Sequence, residues 1–232
     1  MSGNTLKDKN SGEVVYTPPQ DATAIVSLME DLEAFINQPE GTSVDPLIKM
    51  AVIHHRFESI HPFYDGNGRT GRIINVLFLM KEELLDIPTL YLSRYILSTK
   101  DDYYRLLQDV RENDDWEEWV SYILRGVEIT ARQTIDTISA IKESFQDYKL
   151  RIRKTHRFYS QDLINNLFTH PYTKIDFLQK DLKVSRVTAA RYLDELCSTG
   201  FLKKRKIGRT NYYINPPLSR LLSHPPQYSS PS

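Results

Sequence analysis

The spacing of apolar and polar positions along the chain predicts a mainly helical protein. Apolar residues recur at helical intervals in segments 21–37, 46–60, 67–83, 93–97, 101–112, 116–154, 161–168, 174–182 and 185–198. Asp45 followed by Pro46 is typical of a helix start, where proline fits the first turn. The segment from residue 67 is almost continuously apolar, so we predict that it forms the central, buried helix of its domain.

Two short β-hairpins are predicted beside the helices. Near the N-terminus, the β-branched strand Val14–Thr17 follows a turn at residues 10–12 and stops before two prolines. Near the C-terminus, two strands flank Gly208. Three short helices followed by a β-ribbon have the order of a winged helix-turn-helix domain.

Length and charge both indicate two domains. The chain has 232 residues, more than the roughly 100 to 150 of a typical single domain. Up to Leu150 it carries 15 basic and 25 acidic residues, and after it 15 basic and 5 acidic residues. Such asymmetry favours different partners for the two halves. We predict a helical domain with the hairpin, a winged-helix domain and a disordered tail, at 1–152, 153–222 and 223–232.

Composition limits where the protein acts. Cys197 is the single cysteine, so an internal disulfide is excluded. The most apolar stretch, Ile73–Met80, contains Asn75 and is far shorter than the roughly 20 residues of a membrane span. We therefore expect a cytoplasmic protein without a membrane partner.

The segment HPFYDGNGRTGR, residues 61–72, concentrates the residues that carry chemistry. Gly66 and Gly68 let backbone amides approach a phosphate, and the N-terminus of the following helix completes an anion site. Asp65 is a hard oxygen ligand that suits Mg²⁺ bridging two phosphates. His61 is the one residue of this segment suited to accept a proton near neutral pH, because the pKa of histidine is about 6.5.

Two arginines follow at helical spacing. Arg69 and Arg72 are three residues apart, so they share one face of the first helical turns. Both can therefore reach phosphate oxygens. The alternative interpretation of the whole segment is a buried loop with a hydrogen-bonded histidine and a helix cap, and the number of matching positions argues against it.

The segment HPFYDGNGRTGR resembles the signature of Fic-domain proteins, as do the preceding HHRFESI and the hairpin ending VVYTPP. The resemblance covers roughly residues 5–150. It implies an all-helical Fic core that transfers AMP from ATP, with Mg²⁺, to a Ser, Thr or Tyr hydroxyl of a target protein, including the protein itself. A phosphate-transferring relative has lysine at the position of Gly68, so the resemblance favours AMP transfer.

The resemblance also assigns roles to individual residues. It makes His61 the general base, Phe63 the anchor of the loop in the core and Asp65 the metal ligand. It implies that Gly66, Asn67 and Gly68 form the anion hole and that Arg69 and Arg72 bind the outer phosphates. The hairpin, with Val14, Val15 and Tyr16, resembles the family's flap, which binds the target's backbone as an added strand.

A second motif that is common in the family is missing from this sequence. It consists of Ser or Thr, three residues, Glu, and then Gly or Asn, and its glutamate pairs with the second arginine. Neither Glu40-Gly41 nor Glu112-Asn113 fits it. We therefore expect Arg72 to lack an internal partner and the chain to be a truncated, derepressed form. Reverse removal of AMP is disfavoured, and a separate inhibitor protein and a homodimer remain open.

Weaker signals leave alternatives open. Tyr104 either contacts adenine, as a tyrosine pair often does in the family, or packs in the core. His54 and His55 lie before His61, but adjacent helical residues point about 100° apart, so packing is favoured over a metal site. Trp116 and Trp119 are expected to face the core.

The C-terminal domain carries candidate DNA contacts. They lie at the start of the predicted recognition helix and on the basic wing, and comprise Arg186, Thr188, Lys203, Lys204 and Arg205. A basic face that binds protein is an equal alternative. The rival to an enzyme is a DNA-binding transcription regulator that senses a nucleotide without turnover.

Overall fold

The computed structural model describes residues 5–7, 14–38 and 44–224. The described chain is mainly helical, with two small sheets, which confirms the predicted fold class. It divides into two compact units, Met1–Ala131 and Arg132–Ser232, whereas the sequence predicts the boundary after residue 152. None of the helices in the described ranges is both long and apolar enough to cross a membrane.

The first unit is built from a strand pair and a set of helices. Strands β1 (Leu6–Lys7) and β2 (Val14–Tyr16) are antiparallel, with Tyr16 opposite Leu6. The predicted turn between them, at 10–12, lies outside the described residues. The helices are α1 (Ala22–Ile36), α2 (Pro46–Ile60), α3 (Asn67–Lys81), α4 (Ser93–Ser98), α5 (Lys100–Asn113) and α6 (Trp116–Thr155), which continues into the second unit.

Local caps explain where α1 and α2 begin. The Asp21 carboxylate accepts a hydrogen bond from the backbone N–H of Ala24 at 2.8 Å, and Asp45 accepts one from Leu47 at 2.8 Å. Each bond satisfies a first-turn N–H that has no partner within its helix. Pro46 follows the second cap, as predicted.

Helix α2, and not α3, is the buried centre of the first unit. Met50, Ala51 and Ile53 on α2 are fully buried, whereas Ile73 and Leu77 on α3 are each 58 % exposed. The prediction of a central α3 is therefore wrong. Apolar content alone did not show which face of α3 is covered, and that face contains small and polar residues, Gly71 and Asn75 among them.

The second unit combines helices with a three-stranded sheet. Its elements after α6 are α7 (Gln161–Thr169), β3 (Tyr172–Thr173), α8 (Ile175–Leu182), α9 (Arg186–Ser198), β4 (Lys203–Ile207), β5 (Thr210–Ile214) and α10 (Pro216–Ser223). The sheet order is β3-β5-β4, with antiparallel neighbours. The order of three helices and a hairpin is as the sequence predicts, and the assignment to the winged-helix class stays a prediction.

Two elements of the second unit escaped prediction. Strand β3 is only two residues long, and α10 begins with two prolines, which favour a turn when they are taken alone. The Asn215 side chain caps α10 by accepting a hydrogen bond from the Leu218 N–H at 3.2 Å. Helix α10 ends at Ser223, where the tail is predicted to begin, and residues 225–232 lie outside the described residues.

Candidate functional site

The loop between α2 and α3 carries the predicted catalytic residues and has a constrained backbone. His61 ends α2 in the left-handed region, with φ 52°, and its N–H donates to the Phe57 carbonyl at 3.0 Å. Gly66 precedes α3 with φ 91°, a conformation that glycine adopts without steric cost. The residues at both ends of the loop therefore have left-handed backbone conformations.

The start of α3 has the features that the predicted anion site requires. Gly66 is its N-cap, and no side chain from the described residues caps the helix, so its first N–H groups remain available. Asn67 is buried, accepts a hydrogen bond from the Phe63 N–H at 2.9 Å and donates one to the Phe63 carbonyl at 2.6 Å. The amide side chain thus fixes the loop while the helix N-terminus faces outward.

The buried Asn67 amide holds the backbone of the loop. Phe63 is 48 % exposed, and its ring lies beside the Phe57 ring, with the ring centres 6.3 Å apart. The role of loop anchor that the resemblance gives to the Phe63 side chain stays a prediction. The backbone groups of Phe63 hold the loop, because they pair with the buried Asn67 amide.

The two predicted phosphate-binding arginines have different surroundings. Arg69 is exposed and forms an ion pair with Asp65 at 2.9 Å. Arg72 is half-buried, and its Nε donates to Ser93 Oγ at 2.7 Å. The expectation that Arg72 has no internal partner is therefore wrong. Ser93 comes from α4, 21 residues away, and no local sequence pattern pointed to it.

The His61 imidazole has electrostatics that suit a base. Partial burial lowers its pKa below the ordinary 6.5, the backbone carbonyl of Glu58 raises it, and the Arg111 guanidinium lowers it again. The net direction is downward, so the imidazole is mainly neutral at pH 7. A neutral imidazole can accept a proton from a hydroxyl.

Beneath the loop lies a buried polar cluster that the sequence did not reveal. Glu58 is only 7 % exposed, and burial raises the pKa of its carboxyl to about 7 against the opposing effects of Arg72 and Arg111. His54 is fully buried, and its Nε2 lies 3.0 Å from the Tyr103 hydroxyl. Burial lowers the pKa of His54 to about 3, so this imidazole is neutral.

The two other histidines near the loop, His54 and His55, and the two tryptophans pack in the core. His54 stacks on Trp119 with ring centres 6.0 Å apart, and His55 Nε2 lies 3.1 Å from the Leu107 carbonyl oxygen. Trp119 is buried, and its Nε1 donates to the Ala51 carbonyl at 2.9 Å. Trp116 packs partly buried against the same core. These side chains build the core under the site.

Of the three predicted flap residues, two have exposed side chains and the third contacts the core. Val14 and Val15 are 54 % and 44 % exposed. Tyr16 turns to the core, where the Arg111 guanidinium lies 3.7 Å from its ring centre and its hydroxyl donates to the Ser59 carbonyl at 2.9 Å. Tyr16 therefore attaches β2 to the helices, and the valines remain accessible.

A cleft lies beside the flap in the first unit. Its volume is about 630 Å³, and its walls include Tyr16, Leu28, Ser59, Arg111 and Trp116. The cleft is also lined by Ile60, the residue that precedes the predicted base His61. A side chain held at the flap thus has space next to the loop.

Tyr104 is 52 % exposed and close to the site. Burial, and then the charge of Glu58, raises the pKa of its hydroxyl, while Arg72 lowers it. Its ring packs edge-on against Tyr103, with ring centres 5.4 Å apart. The Tyr104 ring is thus partly accessible, whereas Tyr103 belongs to the core.

The loop lies within a segment that matches a known family. Residues 2–79, which contain the flap, the loop and most of α3, match the Fic/DOC family.

The chain contains a Fic domain.

Residues 145–218 match a second family description, "Protein adenylyltransferase SoFic-like, C-terminal domain".

Curated relatives resemble the Fic domain at modest identity. The chain is 25 % identical over 126 residues to "Protein adenylyltransferase fic-1" of Caenorhabditis elegans, covering 54 % of this chain and 23 % of that protein. It is 31 % identical over 99 residues to "Protein adenylyltransferase Fic" of Drosophila grimshawi, covering 43 % and 19 %. The chain thus spans less than a quarter of the length of these relatives.

A solved structure of a Fic family protein from Desulfovibrio desulfuricans G20 is also similar. Its sequence is 23 % identical, the TM-score is 0.49, and the match covers 92 % of this chain and 61 % of that chain.

In the SoFic-like C-terminal domain, the candidate DNA contacts are largely exposed, and some are paired. Lys203 and Arg205 are exposed on β4. Lys204 pairs with Asp194 at 2.8 Å, and Arg186 pairs with Asp176. The backbone N–H of Thr188 donates to the Ser185 cap of α9 at 3.2 Å. Further basic side chains, those of Lys206 and Arg209, are exposed on the same hairpin.

Proposed function

We propose that the Fic domain transfers AMP from ATP to a Ser, Thr or Tyr hydroxyl of a target protein, itself included, and releases pyrophosphate. One observation carries the proposal. A neutral imidazole at His61 and the uncapped N-terminus of α3 lie at the two ends of one loop, which the buried Asn67 amide holds closed. An anion site next to a base is the arrangement that the attack of a hydroxyl oxygen on phosphorus needs.

In the proposed step, the target hydroxyl oxygen attacks the α-phosphorus of ATP. The new oxygen–phosphorus bond forms as the bond to the bridging oxygen of the β-phosphate breaks. His61 accepts the hydroxyl proton, and pyrophosphate leaves with the bonding electrons. The free N–H groups of α3 stabilise the negative charge on the phosphates, assisted by Arg69 and Arg72.

The small residue at position 68 supports the reaction at the α-phosphorus. A Cβ atom at Gly68 would lie 3.2 Å from Arg72 Nη1 and 3.7 Å from Glu58 Oε1. Any larger side chain there therefore displaces the arginine. We infer that glycine keeps Arg72 close to the first turn of α3, where the outer phosphates of ATP bind.

The residues present suit Mg²⁺ only together with the nucleotide. Asp65 supplies one exposed carboxylate beside the helix N-terminus, and Mg²⁺ prefers one or two carboxylates together with phosphate oxygens and water. No group of three or more His, Cys, Asp or Glu side chains in the described ranges is placed to hold a metal without it. When bound, Mg²⁺ would neutralise phosphate charge, and Asp65 would exchange its Arg69 partner for the ion.

The flap is the proposed docking site for the target. Strand β2 pairs on one side with β1 in a two-stranded sheet, and Val14 and Val15 are exposed. A target segment that pairs with β2 as an added strand would satisfy free backbone groups and bring its hydroxyl to His61. The exposed ring of Tyr104 is the proposed contact for adenine.

Labelled ATP tests the proposal. Purified protein, Mg²⁺ and a cell lysate are incubated with ATP that carries the label on either the α- or the γ-phosphate. We expect labelled protein bands with the α-label only. Bands with the γ-label only would show phosphate transfer, and ATP binding without labelling would favour the regulator that senses a nucleotide.

DNA binding by the C-terminal domain is a separate proposal, supported by the exposed basic side chains of β4. A gel shift with duplex DNA at increasing salt tests it. Binding that weakens steeply with salt is the expected signature of phosphate contacts. No shift at low salt would favour a protein-docking role.

A further inference from the structure

A buried carboxyl group lies directly behind the proposed phosphate site. Glu58 projects from α2 toward the two glycines of α3 that follow the loop. A Cβ atom at Gly71 would lie 2.9 Å from Glu58 Oε1, and one at Gly68 would lie 3.7 Å from the same oxygen. Because these residues lack side chains, the carboxyl can sit against the backbone of α3.

This carboxyl has no obvious role in maintaining the fold. Its Oε1 is buried and has no hydrogen-bond partner among the residues that the structure describes. A buried polar atom without a partner destabilises a protein, so its presence at a site points to another function. The location against the glycines of α3 connects that function with the anion site.

Ionisable groups surround Glu58 from three helices. Arg72 approaches from α3, and Arg111, Tyr103 and Tyr104 approach from α5. His54, on α2 itself, borders the same space at Gly71. The two arginines are the cations of this environment, and they compensate the charge of an ionised carboxylate.

The two arginines differ in how firmly they are held. Arg111 donates from Nη2 to the Glu58 backbone carbonyl at 3.2 Å and from Nε to Ser59 Oγ at 3.0 Å, and it stacks on Tyr16. Within the part of the chain that the structure describes, Arg72 makes one hydrogen bond, from Nε to Ser93 Oγ. Arg72 is also the cation nearer to the helix N-terminus, so phosphates would engage it first.

We propose that binding of a nucleoside triphosphate at the start of α3 is coupled to the uptake of a proton by the Glu58 carboxyl. The inference rests on the proposed function. Phosphates bring negative charge next to a buried carboxylate and engage the guanidinium of Arg72 that compensates it. Both effects favour the neutral carboxylic acid.

The effect of burial on the pKa values in the cluster agrees with this assignment. Burial raises the pKa of Glu58 to about 7, while it lowers that of His54 to about 3 and raises that of Tyr103 well above 10. Glu58 is therefore the member of this cluster poised to change charge near neutral pH. If phosphate binding raises its pKa by about one further unit, about half a proton is taken up at pH 7.5.

Calorimetry in several buffers tests the coupling. The wild-type chain is titrated at pH 7.5, with saturating Mg²⁺, with an ATP analogue whose α–β bridge is a methylene and cannot be cleaved. The observed enthalpy is plotted against the ionisation enthalpy of the buffer, and the slope gives the protons taken up. Glu58→Gln removes the titrating group with little change in shape, and Glu117→Gln, at an exposed glutamate, is its control.

We expect a slope of about half a proton for wild type and for Glu117→Gln, and a slope lower by that amount for Glu58→Gln. His61→Ala should keep the wild-type slope. If the analogue binds tightly and the slopes of wild type and Glu58→Gln are equal, the inference is overturned while the proposed function stands. The inference is also overturned if His61→Ala abolishes the proton uptake, because His61 would then be the group that takes up the proton. No binding of the analogue to wild type would overturn the proposed function as well.

A second measurement keeps the test independent of the variant. The Glu58 carboxyl carbon is followed by ¹³C NMR of the wild-type chain across pH, with and without the analogue. An upward shift of its titration midpoint on binding supports the coupling. An unchanged midpoint with the analogue bound contradicts it, even if Glu58→Gln does not fold.

Discussion

The Asn67 side chain and the Phe63 backbone form a closed pair of hydrogen bonds across the loop. The oxygen of the amide accepts from the Phe63 N–H at 2.9 Å, and its nitrogen donates to the Phe63 carbonyl at 2.6 Å. This pair replaces backbone hydrogen bonds that the turn cannot make, and Asn67 is almost fully buried. The loop that carries His61 therefore has a defined shape.

Asn67→Ala should open this pair. Two backbone groups of Phe63 lose their partners, which costs about 1–3 kcal/mol for each group that stays buried. We expect AMP transfer to fall at least about tenfold, with a lower free energy of unfolding in urea. Asn165→Ala, at an exposed residue of α7, is the control. Wild-type transfer by Asn67→Ala would show that the loop keeps its shape without the amide.

Gly66→Ala should separate backbone strain from the effect of a side chain added beside the proposed anion site. Gly66 and Gly208 both have positive φ, 91° and 57°, so alanine is strained at either position, by about 1–2 kcal/mol. A Cβ atom at residue 66 also meets Arg69 Nη2 at 3.4 Å, whereas nothing lies within 4 Å of one at residue 208. We expect both variants to lose stability and only Gly66→Ala to lose ATP affinity in calorimetry. Equal ATP affinity in the two variants would remove Gly66 from the anion site.

Arg111→Ala should loosen the flap. This guanidinium stacks on Tyr16 and donates to Ser59 Oγ, so its loss weakens the attachment of β2 to the helices, to which the hydrogen bond from Tyr16 to the Ser59 carbonyl also contributes. We expect the KM for the protein target to rise about tenfold while the KM for ATP changes little. Arg105→Ala, on the exposed side of the same helix, should change neither. An effect confined to the KM for ATP would contradict the assignment of Arg111 to the flap.

Glu58 should make the first unit less stable as pH rises. A carboxyl whose pKa is raised from 4.5 to about 7 holds its proton more tightly in the folded chain than in the unfolded chain. Its contribution to stability is therefore highest below pH 4.5 and declines as pH rises to about 7. Relative to wild type, Glu58→Gln should gain up to about 3 kcal/mol between pH 4.5 and pH 8.

Tryptophan fluorescence during urea unfolding measures this gain, because both tryptophans, Trp116 and Trp119, belong to the first unit. The comparison with wild type cancels the opposite contributions of His54 and His55. Burial lowers their pKa values to about 3 and about 4, so they destabilise the fold as pH falls below 6.5. If the difference in the free energy of unfolding between variant and wild type does not depend on pH, the pKa of the Glu58 carboxyl is not raised.

The elements that the sequence predicted well are those with local signals. Helix α2 begins at Pro46 because an aspartate cap and a proline occur together there. The loop chemistry was likewise visible, because its residues are contiguous from His61 to Arg72. These features depend on neighbours within a few residues, which a single sequence displays.

The parts that were missed depend on distant contacts. Ser93 reaches Arg72 across 21 residues, and Arg111 reaches Ser59 across 52. Glu58 is one polar position in a helix, and its burial becomes evident only when α3 is packed on it. Such residues carry no spacing signal, because the fold, and not the order of the chain, brings them to the site.

The central claim is that the His61 imidazole accepts the proton of the attacking hydroxyl. Its most direct test is the rate at which α-labelled ATP modifies protein at saturating ATP and Mg²⁺, compared for wild type, His61→Ala and the exposed control His170→Ala. The account predicts a loss of at least about 100-fold for His61→Ala alone. A His61→Ala variant that transfers AMP at the wild-type rate would contradict it.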